Sequence, residues 1–198
     1  MRKLLALLFF TIILGMPQGA NAGPFEDGQA AWGRGDYATA LSLFRPLAAQ
    51  RHADAQWWLG LMYEYGKGVV QDHKEAGKWY RLAAAQGVAE ARSMLGHMYD
   101  NGLGVVQDHK EAVKWYRLAA DQGNENAQNN LGVMYNLGQG VAQDDVRAQM
   151  WFLLSVTNGY SDASKTRDDV ATKLNSSQIQ QAQEMAQRCQ ASSYQQCD

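Results

Sequence analysis

The sequence has only two cysteines, three prolines and no excess of basic residues in its 198 positions. Three prolines in a chain of this length exclude a collagen-like protein. Lysine and arginine number 18 against 20 aspartates and glutamates, so no nucleic-acid partner is expected, because such a partner requires many basic contacts to phosphates. A hydrophobic content of 46% with 19% charged residues is typical of a globular chain and excludes bulk disorder.

The sequence also lacks a hydrophobic run long enough to cross a bilayer. The run at residues 4–16 has 13 residues, which as a helix spans about 20 Å of a hydrocarbon core of about 30 Å. It follows Arg2 and Lys3, and the small residues Ala20 and Ala22 that come after it form a signal-peptidase pattern. Residues 1–22 are predicted to be a signal peptide cleaved between Ala22 and Gly23; a single membrane anchor is the alternative. The exported protein, periplasmic or secreted, then has no integral membrane segment.

A period of 36 residues organises the middle of the chain. Residues 53–88 and 89–124 are identical at 25 of 36 positions, and residues 125–160 match the second unit at 14. Tandem units of this length predict a stacked array in which neighbouring units bury one another's apolar faces.

Each unit reads as a helix, a loop and a second helix. In the first unit, Gly66 and Gly68 end the first helix, because glycine readily takes the positive φ of a helix C-terminus. Asp72 with Glu75 three residues later has the spacing of a capping box, which begins the second helix. Nothing in the units indicates a β-strand, so the fold class is predicted to be all-α.

The recurring pattern resembles the Sel-one-like repeat family, a branch of the tetratricopeptide-like helical solenoids. The residues that carry the resemblance in the first unit are Ala53, Ala55, Leu59, Gly60, Tyr63, Gly66, Gly68, Ala76, Trp79, Ala83 and Gly87. It covers residues 53–160 and implies a right-handed α-solenoid of antiparallel helix pairs. It also implies an adaptor that binds a protein or peptide in a concave groove.

The flanking segments are predicted to cap this array. Residues 23–52 read as an N-terminal helix pair and residues 161–198 as C-terminal capping helices with a tail. A basic row on the second helices of the first two units, most simply a solvated convex face, consists of Lys74, Lys78, Arg81, Lys110, Lys114 and Arg117. The third unit has Val146, Met150 and Leu153 at these positions, so we expect the C-terminal helices to cover this apolar patch.

Comparison of the three units suggests where a partner binds. When the first helix is wound at about 100° per residue, the residues identical in all units share one side and the variable ones lie opposite, except that the variable Gln56 falls on the packed side. The resemblance places this variable stripe on the groove. With the neighbouring Trp58, it consists of Asp54, Trp57, Leu61, Glu64, Tyr65, Glu90, Ser93, His97, Asp100, Asn101, Asn126, Asn129, Val133, Asn136 and Leu137. The alternative is a solvated face that drifts between copies without selection.

No catalytic or metal-binding signature is present in the sequence. It contains no G-x-S-x-G, H-E-x-x-H, Walker or S-x-x-K motif. His52, His73, His97 and His109 lack the spacing of a zinc site. We therefore predict no enzyme activity, no cofactor and no metal.

A cysteine-rich subfamily of the same repeats suggests penicillin-binding or β-lactamase-like activity as an alternative, although residues 53–160 contain no cysteine. A structural role in the cell envelope, at the peptidoglycan, is a further alternative.

Cys189 and Cys197 are the only thiols, and export favours a disulfide between them. On one continuous helix they would lie about 12 Å apart, beyond the reach of about 7 Å for a bridge. A bridge thus requires the chain to turn back near residues 191–193. Free or intermolecular thiols remain the alternative.

Overall fold

A computed structural model describes residues 23–195 and residue 197, and every regular element in this part of the chain is a helix. The predicted signal peptide at residues 1–22, and with it Ala22 of the cleavage site, lies outside the described residues. The helices are α1 (Pro24–Gly33), α2 (Tyr37–Ala49), α3 (Ala53–Tyr65), α4 (His73–Ala85), α5 (Ala89–Asn101), α6 (His109–Ala120), α7 (Glu125–Leu137), α8 (Asp145–Thr157), α9 (Ala163–Ala171) and α10 (Ser176–Ala191).

The helix ends follow the repeat. Gly66, Gly102 and Gly138 all end a first helix in the left-handed conformation. The Asp72 carboxylate caps α4 by accepting from the backbone N–H of Lys74 and Glu75.

The reciprocal half of the predicted capping box does not form. The Glu75 carboxylate instead accepts from Lys78 Nζ at 2.6 Å, an exposed ion pair one turn along the helix, and Glu111 pairs with Lys114 in the same way. A complete capping box forms at α10, where Asn175 and Gln178 cap each other's backbone. A first-turn glutamate with a lysine three residues later can pair with it on the helix surface, and here that contact replaces the box.

Within each repeat, a glycine lets the two helices approach closely. A Cβ on Gly60 would lie 2.3 Å from the Tyr80 ring, and one on Gly96 would lie 2.5 Å from the Tyr116 ring. Each ring is fully or almost fully buried. The recurring pair of glycine and aromatic residue therefore sets the separation of the helices in each hairpin.

Between repeats, the loop of one unit rests on the start of the preceding second helix. A Cβ on Gly104 would lie 2.5 Å from the backbone carbon of His73, and one on Gly140 would lie 2.3 Å from the carbonyl oxygen of His109. Both glycines have positive φ, 68° and 71°. Only glycine combines that conformation with so close an approach of two backbones, so these positions fix how successive units stack.

The C-terminal helices cover the end of the array. Both α9 and α10 pack against α8, and Met150 is completely buried, with Val146 and Leu153 packed against the same core. The expectation that these helices cover the apolar patch of the third unit is confirmed. Cys189 and Cys197 form a disulfide with a Cα–Cα distance of 4.4 Å, and the chain reverses at Ser193 and Tyr194, both at positive φ.

The core runs along the array in three adjoining clusters. The N-terminal pair α1 and α2 packs on α3 through Phe44 and Leu59, and further clusters lie between the units. The predicted all-α fold, a solenoid of helix pairs, is confirmed.

Candidate functional site

A cavity of about 350 Å³ lies on the surface formed by α3, α5 and α7, the first helices of the three repeats. We call this surface the first-helix face. The cavity is lined by Trp57, Tyr65, Glu90, Ser93, Met94, His97, Asn124, Asn126 and Asn130. All three repeats contribute, so the cavity exists only because the units stack.

Two aromatic side chains from α3 form one wall. Trp57 is half-buried, with its ring edge-on to Trp58 at 4.9 Å between centroids, and it packs against the core between the first two repeats. This packing fixes the indole. Tyr65, at the end of α3, is 57% exposed. Burial, and after it the adjacent Glu64 carboxylate, raises the pKa of the Tyr65 phenol.

The floor of the cavity is polar. Ser93 on α5 is 6% exposed, and the Nδ1 of His97, one turn later, is buried with no hydrogen-bond partner in the described part of the chain. Asn124 accepts from the backbone N–H of Ala127 at 2.9 Å and thereby caps α7. Glu90 is the exposed carboxylate of the cavity.

The structure brings six residues of the predicted stripe into the cavity: Trp57, Tyr65, Glu90, Ser93, His97 and Asn126. Asp54, Asn101 and Leu137 are exposed but lie outside its lining. Leu61 and Val133 are half-buried against the core, and Asn129 lies beside the lining residue Asn130, its Nδ2 3.5 Å from the Asn130 Oδ1. A role in partner binding stays a prediction for the residues both inside and outside the cavity lining.

One position of the stripe was assigned to the wrong surface. Glu64 is 5% exposed, and its carboxylate accepts from the hydroxyl of Tyr80 on the second helix. The equivalent Asp100 lies 2.8 Å from His109 Nδ1, and Asn136 accepts from Lys173 Nζ at 2.8 Å. This position lies at the border of the stripe. The buried Glu64 carboxylate needs a hydrogen bond, which the Tyr80 hydroxyl supplies. Asp100 and Asn136 are half-buried and also reach partners in the following segments.

Trp58 also does not belong to the groove. Its ring stacks on Phe44 at 5.4 Å and lies edge-on to Trp32, within the N-terminal core. The equivalent residues of the next units, Met94 and Asn130, do line the cavity. Carrying the Trp58 position across the repeats would have found both, whereas Asn124 had no signal beyond its place as a helix cap.

Within residues 23–195 and 197, no cluster of three or more histidine, cysteine, aspartate or glutamate side chains has the arrangement of a metal site. The same part of the chain has no helix that is both long and apolar enough to span a bilayer.

Comparisons with known proteins identify the same repeats and the same helical fold. The Sel1 repeat family model matches residues 53–88, 89–124 and 126–160. The structure is similar to that of c5321, a protective antigen of uropathogenic Escherichia coli with an SLR fold, at 38% identity and a TM-score of 0.67 over 71% of this chain and 31% of that one. It is also similar to a Sel1 repeat protein from Oxalobacter formigenes, at 31% identity and a TM-score of 0.68 over 72% and 59% of the two chains.

A sequence relative is HRD3 of Candida glabrata, a component of an ERAD-associated E3 ubiquitin-protein ligase, which is 33% identical over 79 residues. The match covers 40% of this chain and 9% of HRD3, so this chain spans only a small part of that relative's length. The repeat matches together cover more than half of the 198 residues, and the chain belongs to the Sel1 repeat family.

Proposed function

We propose that the protein is an exported adaptor that binds a protein or peptide along the first-helix face and catalyses no reaction. The observation that carries the proposal is the cavity, which three repeats build together and to which two aromatic side chains contribute one wall. Aromatic residues at the centre of an interface supply much of its binding energy. Among the described residues, the cavity is lined by positions between 57 and 130, so no described residue of the C-terminal tail lines it.

The close packing of the array supports the adaptor role. The positions of Trp57 and Ser93 are set by packing within and between the repeats. A preformed surface loses little conformational entropy on binding, so more of the contact energy becomes affinity. The relative HRD3 is named as a component of an E3 ubiquitin-protein ligase, which is consistent with Sel1 repeats that act within protein assemblies.

Export is supported by the N-terminal sequence and by the disulfide. Residues 1–22 have the pattern of a cleaved signal, and the bond between Cys189 and Cys197 is of the kind that persists in oxidising compartments. The intact mass of the protein recovered from a bacterial periplasm should correspond to a chain that begins at Gly23. A mass that includes residues 1–22 would contradict export by this route.

Site-specific photocrosslinking in the native envelope tests the binding surface. A photoreactive amino acid replaces Tyr65 in one variant and His97 in another, at two cavity positions on different repeats. A third variant carries it at Lys78, which is exposed on a second helix. We expect adducts of the same partner at positions 65 and 97 and no such adduct at 78. The same adduct at all three positions, or at position 78 alone, would exclude the first-helix face as the binding surface.

A further inference from the structure

Charge differs between the first helices of the repeats and the second helices of the first two repeats, whereas α8 carries one residue of each sign, Asp145 and Arg147. The first helices α3, α5 and α7 carry the acidic residues Asp54, Glu64, Glu90, Asp100 and Glu125, and Arg92 is their one arginine or lysine. The second helices α4 and α6 carry Lys74, Lys78, Arg81, Lys110, Lys114 and Arg117 against the acidic residues Glu75 and Glu111. Glu64 and Asp100 turn away from this face, towards Tyr80 and His109 on the second helices. The exposed acidic residues of the first-helix face are Asp54 and Glu90, and Glu125 is half-buried, so an occupant meets exposed carboxylates there.

Arg92 does not neutralise the cavity. Its guanidinium donates to the carbonyl oxygen of Ala84 in the first repeat at 3.2 Å and to Gln122 Oε1 in its own repeat at 2.9 Å. None of the described residues that line the cavity is a lysine or arginine. The exposed carboxylate of Glu90 thus has no permanent cation beside it within the lining.

The aromatic wall and Glu90 favour the same kind of ligand group. The faces of the Trp57 and Tyr65 rings carry negative partial charge and attract a cation placed over them. A cation in the cavity could also pair with the Glu90 carboxylate, and the amides of Asn126 and Asn130 line the same cavity. An apolar side chain in the same place would displace water from the Glu90 carboxylate and offer it no hydrogen-bond donor or cation. Burying a charge without such a partner is unfavourable.

We propose that the cavity binds a cationic side chain, preferentially arginine, that projects from the protein or peptide lying on the first-helix face. Arginine suits the site because its planar guanidinium can stack on an aromatic ring while its N–H groups donate to carboxylate and amide oxygens. The inference rests on the proposed function, to which it adds the chemistry of the bound segment: it is basic, and an acidic segment is excluded.

Two matched tripeptides test this inference, acetyl-Gly-Arg-Gly-amide and the same peptide with citrulline, a neutral analogue of nearly the same shape. The readout is the indole N–H resonance of Trp57 in two-dimensional NMR spectra of the protein, assigned among the six tryptophans with the Trp57→Phe variant. We expect the arginine peptide to shift this resonance in a saturable manner. The citrulline peptide should bind at least about fivefold more weakly, because it lacks the charge.

The variant Glu90→Gln separates charge recognition from packing. It should lower the affinity for the arginine peptide to about that for citrulline and leave citrulline binding unchanged. The matched control is Glu184→Gln, which removes an exposed carboxylate on α10 outside the cavity and should leave both affinities unchanged. Circular dichroism checks that both variants keep their helical content.

Equal affinity for the two peptides overturns the inference, as does an arginine affinity that Glu90→Gln does not change. So does the absence of any Trp57 shift at about 10 mM arginine peptide, where even weak binding is measurable. These outcomes are distinct from failure of the proposed function. If crosslinking still finds one partner at positions 65 and 97, only the cationic preference is wrong; if arginine binds selectively but no partner crosslinks, the adaptor role is wrong.

Discussion

The hydroxyl of Tyr194 donates to Oδ1 of Asn158 at 2.8 Å, and this bond attaches the C-terminal tail to a contact that recurs along the array. Nδ2 of Asn158 in turn donates to Gln128 Oε1 at 2.9 Å, as Gln86 donates to Gln56 in the first repeat at 2.7 Å. The tail therefore adds its own hydrogen bond to the network of the last repeat.

The first prediction concerns the disulfide, which closes the loop that carries Tyr194. Reduction should lower the free energy of unfolding by about 2 kcal/mol, because a bridge over a separation of eight residues mainly restricts the unfolded chain. Urea denaturation with and without reductant measures the difference. The double variant Cys189→Ala and Cys197→Ala is the control and should not respond to reductant. Identical midpoints for the native chain in both conditions would contradict the prediction.

The second prediction concerns the cover over α8. A chain that ends at residue 160 should aggregate, because it exposes Met150, which the C-terminal helices bury completely. Sedimentation and gel filtration measure this.

The repeats themselves supply a rescue variant for this truncation. Changing Val146→Lys, Met150→Lys and Leu153→Arg in the shortened chain restores the residues that the first two units carry at these positions and should return a soluble monomer. If the truncated chain stays monomeric without these changes, the cover has no such role.

The third prediction compares two glycines within helices. Gly96→Ala should destabilise the protein by about 1–3 kcal/mol, because the new Cβ would lie 2.5 Å from the buried Tyr116 ring and overpacking exceeds the gain in helix propensity. Gly77→Ala is the matched control: its Cβ would lie 3.0 Å from the terminal methyl group of Met98 and 3.5 Å from Arg81 Nη1, both at the ends of flexible side chains. It should be neutral or stabilising by up to about 1 kcal/mol. Thermal and urea denaturation of both variants test the contrast, which a similar loss at both sites would contradict.

The fourth prediction concerns stability at high pH. Burial, and after it the nearby carboxylates Glu64 and Asp100, raises the pKa of Tyr80 and Tyr116 well above the ordinary value of 10.0. The unfolded chain therefore ionises first. The contribution of each tyrosine is fully present below about pH 10 and falls by up to about 1.4 kcal/mol per pH unit above it.

The variant Tyr80→Phe with Tyr116→Phe tests this slope, and phenylalanine already occupies the equivalent position as Phe152. The free energy of unfolding of the variant should fall less steeply above pH 10 than that of the native chain. Its stability at neutral pH should be lower, by about 1–3 kcal/mol for the unpaired Glu64. Equal slopes for the two proteins would show that these phenols do not govern alkaline unfolding.

Much of this architecture is predictable from the sequence because it depends on local spacing. The glycines that end α3, α5 and α7 and the aspartates that begin α4, α6 and α8 lie where the repeat pattern indicates. The assignment of Met150 to a covered surface also came from comparing equivalent positions. The helix ends depend on residues within one unit, and the covered position of Met150 follows from the difference between that unit and the preceding ones.

The two misassigned residues, Glu64 and Trp58, lie where a side chain can pack against either of two neighbouring helices. Helical geometry places Glu64 at the border between the packed and the variable sides, and only the position of the Tyr80 hydroxyl decides that it is buried. Trp58 lies next to the stripe on the helix surface but stacks on Phe44, which belongs to the N-terminal pair. A single helix cannot indicate which neighbour its flanking residues will reach.

The sequence by itself determined the helices, their ends and their order, because capping, helical periodicity and a repeated unit act over a few residues at a time. Only the tertiary structure decided which variable residues share one cavity. Trp57, Glu90 and Asn126 come from three different repeats, and their proximity depends on how closely each glycine lets one unit pack against the next.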